Sequence, residues 1–249
     1  MVTLDAALAA AATLLALAFA GATLERWLVR RRPHELAWTI SLALFAAASA
    51  ALWVAETVGW SGPSFRAFFL FGAVLNVPWL ALGTIYLLTP RGVADATRWG
   101  LAVVSGFAAG VVLMAPLRGP VPSDDLPQGS ELFGPLPRIL AAVGSGLGAL
   151  VVIGGALWSA WRLLRTPRST ASARAAAVGA RRLAIGNLVI AAGTLVLSAS
   201  GTLAGRLGKD RAFALTLVLG IAILFGGFLI ATPARPAAAR LLRSAQDAA

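Results

Sequence analysis

The chain has 249 residues, of which 59% are hydrophobic and only 12% charged, and its mean hydropathy is +0.82. A water-soluble domain of this length needs far less apolar content to build a core. Cysteine is absent, which removes disulfides, thiolate nucleophiles and cysteine metal sites.

Seven apolar blocks run at about 4–24, 36–55, 67–88, 99–117, 136–161, 183–204 and 212–231. Each approaches the roughly 20 residues that a helix needs to cross a bilayer. Backbone groups in lipid must be satisfied within the segment, and no block shows sustained period-two alternation, so helices are predicted rather than strands. The leader Met1-Val2-Thr3-Leu4-Asp5 has no basic region and carries an acid, so the first block is read as a retained helix and not a cleaved signal.

The connections alternate in charge. Arginines cluster after the first, third and fifth blocks (Arg26 to Arg32, Arg91 and Arg98, Arg162 to Arg182) and in the tail 232–249. Basic and acidic residues cancel in the other connections, so the whole formal charge of +11 falls on one side. In a soluble protein that charge would suggest nucleic acid; here it is a topological signal, and no nucleic-acid partner is expected. The positive-inside bias assigns the basic side to the cytoplasm, with the N-terminus outside and the C-terminus inside. Tryptophans agree: Trp27, Trp38, Trp99, Trp158 and Trp161 fall at the inner boundary, Trp53 and Trp60 at the outer. The outer connection 118–135, rich in Pro, Gly and acid, is expected to be an irregular cap, and the inner stretch 166–180 a surface helix or a disordered segment. The expected architecture is therefore all-α: one domain of seven transmembrane helices.

The third and seventh blocks echo each other. Arg66-Ala67-Phe68, Gly83 and Thr89-Pro90-Arg91 are matched by Arg211-Ala212-Phe213, Gly226 and Thr232-Pro233. Two parallel three-helix units joined by the fourth helix would produce this pattern. The abundance of Ala, Leu, Gly and Arg makes coincidence its rival.

Chemistry is constrained by what is missing. The only histidine, His34, lies beside Glu35 in the predicted first inner loop, so neither a zinc hydrolase nor a bis-histidine haem protein is expected. Ser198 and Ser200 have no base on any predicted helix, and Lys209 lies outside the last one, so a serine nucleophile and a retinal Schiff base are both disfavoured. No enzyme activity, cofactor or metal is expected. No ionisable group lies near a predicted helix midpoint.

The densest polar feature is Asn76-Val77-Pro78-Trp79 in the third block. Pro78 frees a carbonyl and kinks the helix, Asn76 offers a donor and an acceptor at nearly the same depth, and Trp79 brings a ring N–H that needs a partner. These residues either line a cavity for a small uncharged or zwitterionic molecule or form a structural kink closed by a neighbouring helix. Asn187 is the second intramembrane amide, and Glu56 stands near the outer end of the second block, as a pathway carboxylate or as the partner of Arg66, Arg206 or Arg211. Gly106/Gly110, Gly144/Gly148 and Gly201/Gly205 are spaced for close helix packing.

The run Phe68 to Thr84, the stretch Phe133 to Arg138 leading into Gly144-Ser145-Gly146, and Leu195 to Gly201 resemble uncharacterised heptahelical membrane proteins of GC-rich Gram-positive, actinobacterial-type bacteria. The resemblance implies a multi-pass protein of the bacterial plasma membrane. The layout is also similar to small sugar facilitators of three plus one plus three helices, although Pro78 is the only proline well inside a block here. The leading expectation is a facilitator or binding protein for a small molecule. Its alternative is a non-transporting subunit, scaffold or sensor acting through a membrane-protein partner or a second copy. In either case the basic face would hold anionic lipid.

Overall fold

The structure, a computed structural model, describes residues 3–123, 125–165, 181–197 and 210–231. Helix α1 (Leu4–Arg30) starts where the Thr3 hydroxyl accepts from the Ala6 N–H at 3.1 Å, and it stops at Arg31 in the left-handed region (φ 52°). Pro33, pre-set for a first helical turn, opens α2 (Pro33–Val58). Gly59, at φ 90°, makes the turn that an L side chain would strain.

Helix α3 (Gly62–Leu88) begins at a Ser61/Ser64 capping box and widens to a π-helix over Phe69–Leu75. Helix α4 (Arg91–Met114) follows, then a connection containing the single turn α5 (Gly129–Leu132), then α6 (Pro135–Arg165). Residues 181–197 form α7, and Asp210–Ala231 form α8. The described residues contain no strand.

Six of these helices are long and apolar enough to span a membrane: α1 to α4, α6 and α8. The protein is therefore an all-helical, membrane-embedded bundle. The block predicted at 183–204 begins as α7 and continues past the described residues; the stretch 166–180, Gly201/Gly205 and the tail 232–249 also lie outside them. The helices overrun their apolar blocks, because polar residues are tolerated where a helix emerges from the hydrocarbon. Thus α4 starts after Pro90 at Arg91 rather than near Trp99, and it ends at Met114 just ahead of Pro116.

Six helices close a ring in the order α1, α2, α3, α6, α7, α8. Alanines give α1 a shallow buried face (Ala6, Ala9, Ala12, Ala16) that lets α2 come close. Phe19 of α1 meets Phe225 and Phe228 of α8 at 4.7 and 4.8 Å between ring centroids. The α7–α8 pair is closed by glycines seven apart on each helix. A Cβ on Gly193 would lie 2.7 Å from the Leu224 backbone nitrogen, and one on Gly186 would lie 2.8 Å from the Gly227 carbonyl oxygen.

Helix α4 stands outside the ring, with only 11% of its apolar window buried. It is held to α3 at three heights. Arg66 donates to the Val112 and Ala115 carbonyls at the end of α4, Trp79 Nε1 donates to Ser105 Oγ at 3.2 Å, and the Tyr86 hydroxyl donates to Asp95 at 2.7 Å. Gly106 and Gly110 of α4, expected at a packed interface, meet nothing within 4 Å. Their spacing reflects a thinly covered helix and not a contact.

The glycine contacts separate two kinds of site. Gly193→Ala should cost ~1–3 kcal/mol, because its methyl meets backbone that cannot rotate away. Gly106→Ala should cost nothing. Thermal unfolding of the purified protein in detergent reads both, and equal midpoints for the two variants would contradict the α7–α8 packing described.

Candidate functional site

The site grows from one missing donor. Pro78 has no N–H, and the π-helix before it shifts the register so that the Asn76 N–H bonds the Phe71 carbonyl. In that register Pro78 would face the Ala73 carbonyl, which accepts instead from Ser145 Oγ of α6 at 2.5 Å. Gly144 and Gly148 bring α6 this close: their Cβ positions would lie 3.3 Å from the Val74 carbonyl oxygen and 3.0 Å from that of Val77. From the opposite flank, Ser41 of α2 donates to the Asn76 backbone oxygen (3.0 Å) and to its Oδ1 (2.7 Å).

Asn76 is thereby fixed one residue past the middle of α3. Its Nδ2 makes no hydrogen bond with any described residue, and the side chain stands in the wall of a cavity of about 630 Å³. That volume falls in the roughly 300–1,000 Å³ range of ligand sites.

Helices α2, α3, α6, α7 and α8 all contribute walls, and the connection around α5 forms the upper rim. The deep part is bounded by Asn76, Val77, Leu80 and Ala149. The upper part is reached past Phe68 and Phe213, whose rings meet edge-on at 5.8 Å. Most of the lining is aromatic or aliphatic. Ser49, Asn76, Ser145 and Thr194 supply polar groups inside, and Gln128, Ser130 and Arg138 supply them at the rim.

The rim is held in place by the core beneath it. Fully buried Phe133 packs on Phe65 and Phe69 at 5.1 and 4.8 Å, and the Arg118 N–H donates to the Leu132 carbonyl at 3.0 Å. Gly129 lies directly over the Phe69 ring, where a Cβ would come within 2.4 Å.

Of the residues singled out from sequence, only Asn76 reaches the cavity. Pro78 packs against Gly144, and Trp79 points to α4 and ties it by the Ser105 bond. Asn187 donates to Ser159 Oγ at 2.8 Å and so joins α7 to α6. Glu56 is half-buried in the last turn of α2, away from the cavity lining. Arg66, one of its suggested partners, is committed to the α4 carbonyls. The side chains of Arg206 and Arg211 lie outside the described residues.

Ser41, Ser145 and Arg138 were not singled out. Ser145 carried a signal, a serine between Gly144 and Gly146, but serine and glycine in an apolar helix usually mean packing alone. The chain matches no protein-family model and no curated protein, so geometry carries the functional reading.

A second polar centre lies at the opposite end of the bundle. His34 and Glu35, expected in a loop, form the first turn of α2, and Glu35 is fully buried. Arg26 Nε donates to its Oε1 at 3.3 Å, while Oε2 has no partner among the described residues. The Arg26 guanidinium also lies over the Phe228 ring at 4.8 Å, joining α1, α2 and α8. Removing one member of such a pair strands the other. Arg26→Met should therefore destabilise by ~3 kcal/mol, and the double variant Arg26→Met/Glu35→Met should recover most of that. Unfolding midpoints in detergent measure the difference, and a double variant no better than the single would show that Glu35 does not depend on Arg26.

Proposed function

We infer that the protein is a facilitator or binding protein of the bacterial plasma membrane that takes a small uncharged or zwitterionic molecule into the central cavity. The observation that carries this reading is the cavity itself, a ligand-sized space that reaches Asn76 at mid-helix where a purely structural bundle would be filled. On this reading α7 completes a seventh span. The basic connections lie in the cytoplasm against anionic lipid, and the cavity rim faces outward.

A three-plus-one-plus-three plan is part of the proposal. Helix α4 lies outside the ring, as a linker would, and the same separation in sequence relates Ser49 to Thr194 and Phe68 to Phe213. Both pairs face the one cavity, as positions related by an axis through it would. The match is not uniform: Gly83 lies under the Trp38 indole, while Gly226 meets nothing within 4 Å.

The competing reading is a non-transporting subunit or sensor. It draws on α4, whose outer face exposes Trp99, Val103, Phe107 and Met114. Lipid accounts for such a face equally well, so the cavity weighs more.

Flux of a solute panel into proteoliposomes tests the choice. Asn76→Leu keeps the side-chain size and leaves Ser41 its bond to the Asn76 backbone oxygen, so folding should survive. Flux of the transported solute should fall about tenfold, the loss of one or two hydrogen bonds to it. Trp79→Phe, which alters only the tie to α4, should leave flux within about twofold. No saturable flux or binding across the panel would shift the assignment to the subunit reading.

A further inference from the structure

The cavity is polarised. Its interior walls are mostly apolar (Phe45, Leu80, Leu217), with Ser49, Asn76, Ser145 and Thr194 the uncharged polar groups among them, whereas Gln128, Ser130 and Arg138 lie at the rim. Arg138 sits in the first turn of α6 and makes no ion pair or hydrogen bond with any described residue. Arg138 is exposed at the mouth of the cavity, whereas Arg26 and Arg66 are half-buried. Arg66 is consumed by the α4 carbonyls, and Arg26 is held by Glu35 and Phe228.

Among the described residues no carboxylate lines the cavity. The nearest acids in sequence, Asp125 and Glu131, are exposed on the connection that forms the rim and do not belong to the lining. The lining residues Arg138 and Phe213 lie in the first turns of α6 and α8, so the backbone dipoles of these two helices add positive potential at this end of the cavity.

An uncharged solute would leave this cation without a role, and a cationic one would be repelled. We propose that the ligand of the cavity is a single-chain amphiphilic acid, with its anionic group at Arg138, Gln128 and Ser130 and its apolar chain directed down toward Asn76. This rests on the cavity being a ligand site, and it departs from the uncharged or zwitterionic class proposed above by giving the ligand a net negative end. A planar guanidinium pairs with a carboxylate through two parallel hydrogen bonds, so the carboxylate is the head group that the rim suits best. The apolar walls select the chain by burial and set no directional requirement. Asn76 Nδ2 stands where the chain ends, and it favours a terminal hydroxyl or keto oxygen over a bare methyl.

Gly146 supplies the control. It lines the cavity, and a Cβ there would meet nothing within 4 Å, so Gly146→Phe fills the space without a backbone clash. Saturable binding of radiolabelled decanoate to the full-length protein in nanodiscs, corrected with empty discs, is compared with that of decanol. The wild type should bind decanoate about tenfold more tightly than decanol, the worth of one charge-assisted hydrogen-bonded pair. Arg138→Gln should abolish that preference while leaving decanol binding unchanged, and Gly146→Phe should abolish both. A decanoate preference that survives Arg138→Gln overturns the head-group assignment and leaves the cavity as a site. Decanoate and decanol binding that both survive Gly146→Phe would remove the cavity as the site altogether. Circular dichroism and a wild-type-like unfolding midpoint qualify each variant for the comparison.

Discussion

A backbone that loses a hydrogen bond in the middle of a membrane has no water to turn to, and this constraint organises the bundle around Pro78. The cost is met by a neighbour: Ser145 gives its hydroxyl to the Ala73 carbonyl, while Ser41 gives its own to Asn76. A bond such as that of Ser145 is worth ~0.6–2 kcal/mol, comparable with the defect it repairs. For Ser145 to reach, α6 must lie against α3 with no side chain between them, which is what Gly144 and Gly148 permit. The freed carbonyl thus fixes where α6 meets α3 and with which small residues.

One end of the Asn76 amide is left without a partner among the described residues. Ser41 occupies one end of the Asn76 amide, so the other end is turned away from α2 and into the open centre of the ring. An asparagine at mid-bilayer is costly unless every polar atom finds a partner. Here one part is satisfied by the protein and one part faces a space that a solute can enter. The structure divides the Asn76-Pro78-Trp79 cluster: Pro78 and Trp79 pack against neighbouring helices, and Asn76 lines the cavity.

Much of this was legible in the sequence because it depends on local chemistry. The apolar blocks marked the six long apolar helices, Pro78 marked the missing backbone donor, and the Pro- and Gly-rich connection marked the irregular rim at the bundle end. The rest depends on direction. Whether Trp79 faces the centre or α4 turns on its angle around a π-distorted helix, and the π-helix itself has no sequence signature in Phe69–Leu75. Gly106/Gly110 and Gly144/Gly148 share one spacing, yet only the second pair is packed. Spacing states that a face is smooth, not that a partner covers it. Glu35 was placed in a loop because hydropathy windows end at charges. Its burial follows from Pro33 starting α2 before the apolar block and from Arg26 being in reach on α1.

The two ends of the bundle differ in how they treat an arginine, and that difference bears on function. At one end Arg26 is satisfied by a buried carboxylate and an aromatic ring, which locks α1, α2 and α8 together. At the other, Arg138 stands at the rim of an apolar cavity with no partner among the described residues. A satisfied charge contributes to rigidity, whereas exposed Arg138, left at the mouth of an apolar cavity, attracts an anion that arrives there. Helix α4 can be fastened to α3 by three polar ties without entering the ring, so the central space stays open while the fold stays closed.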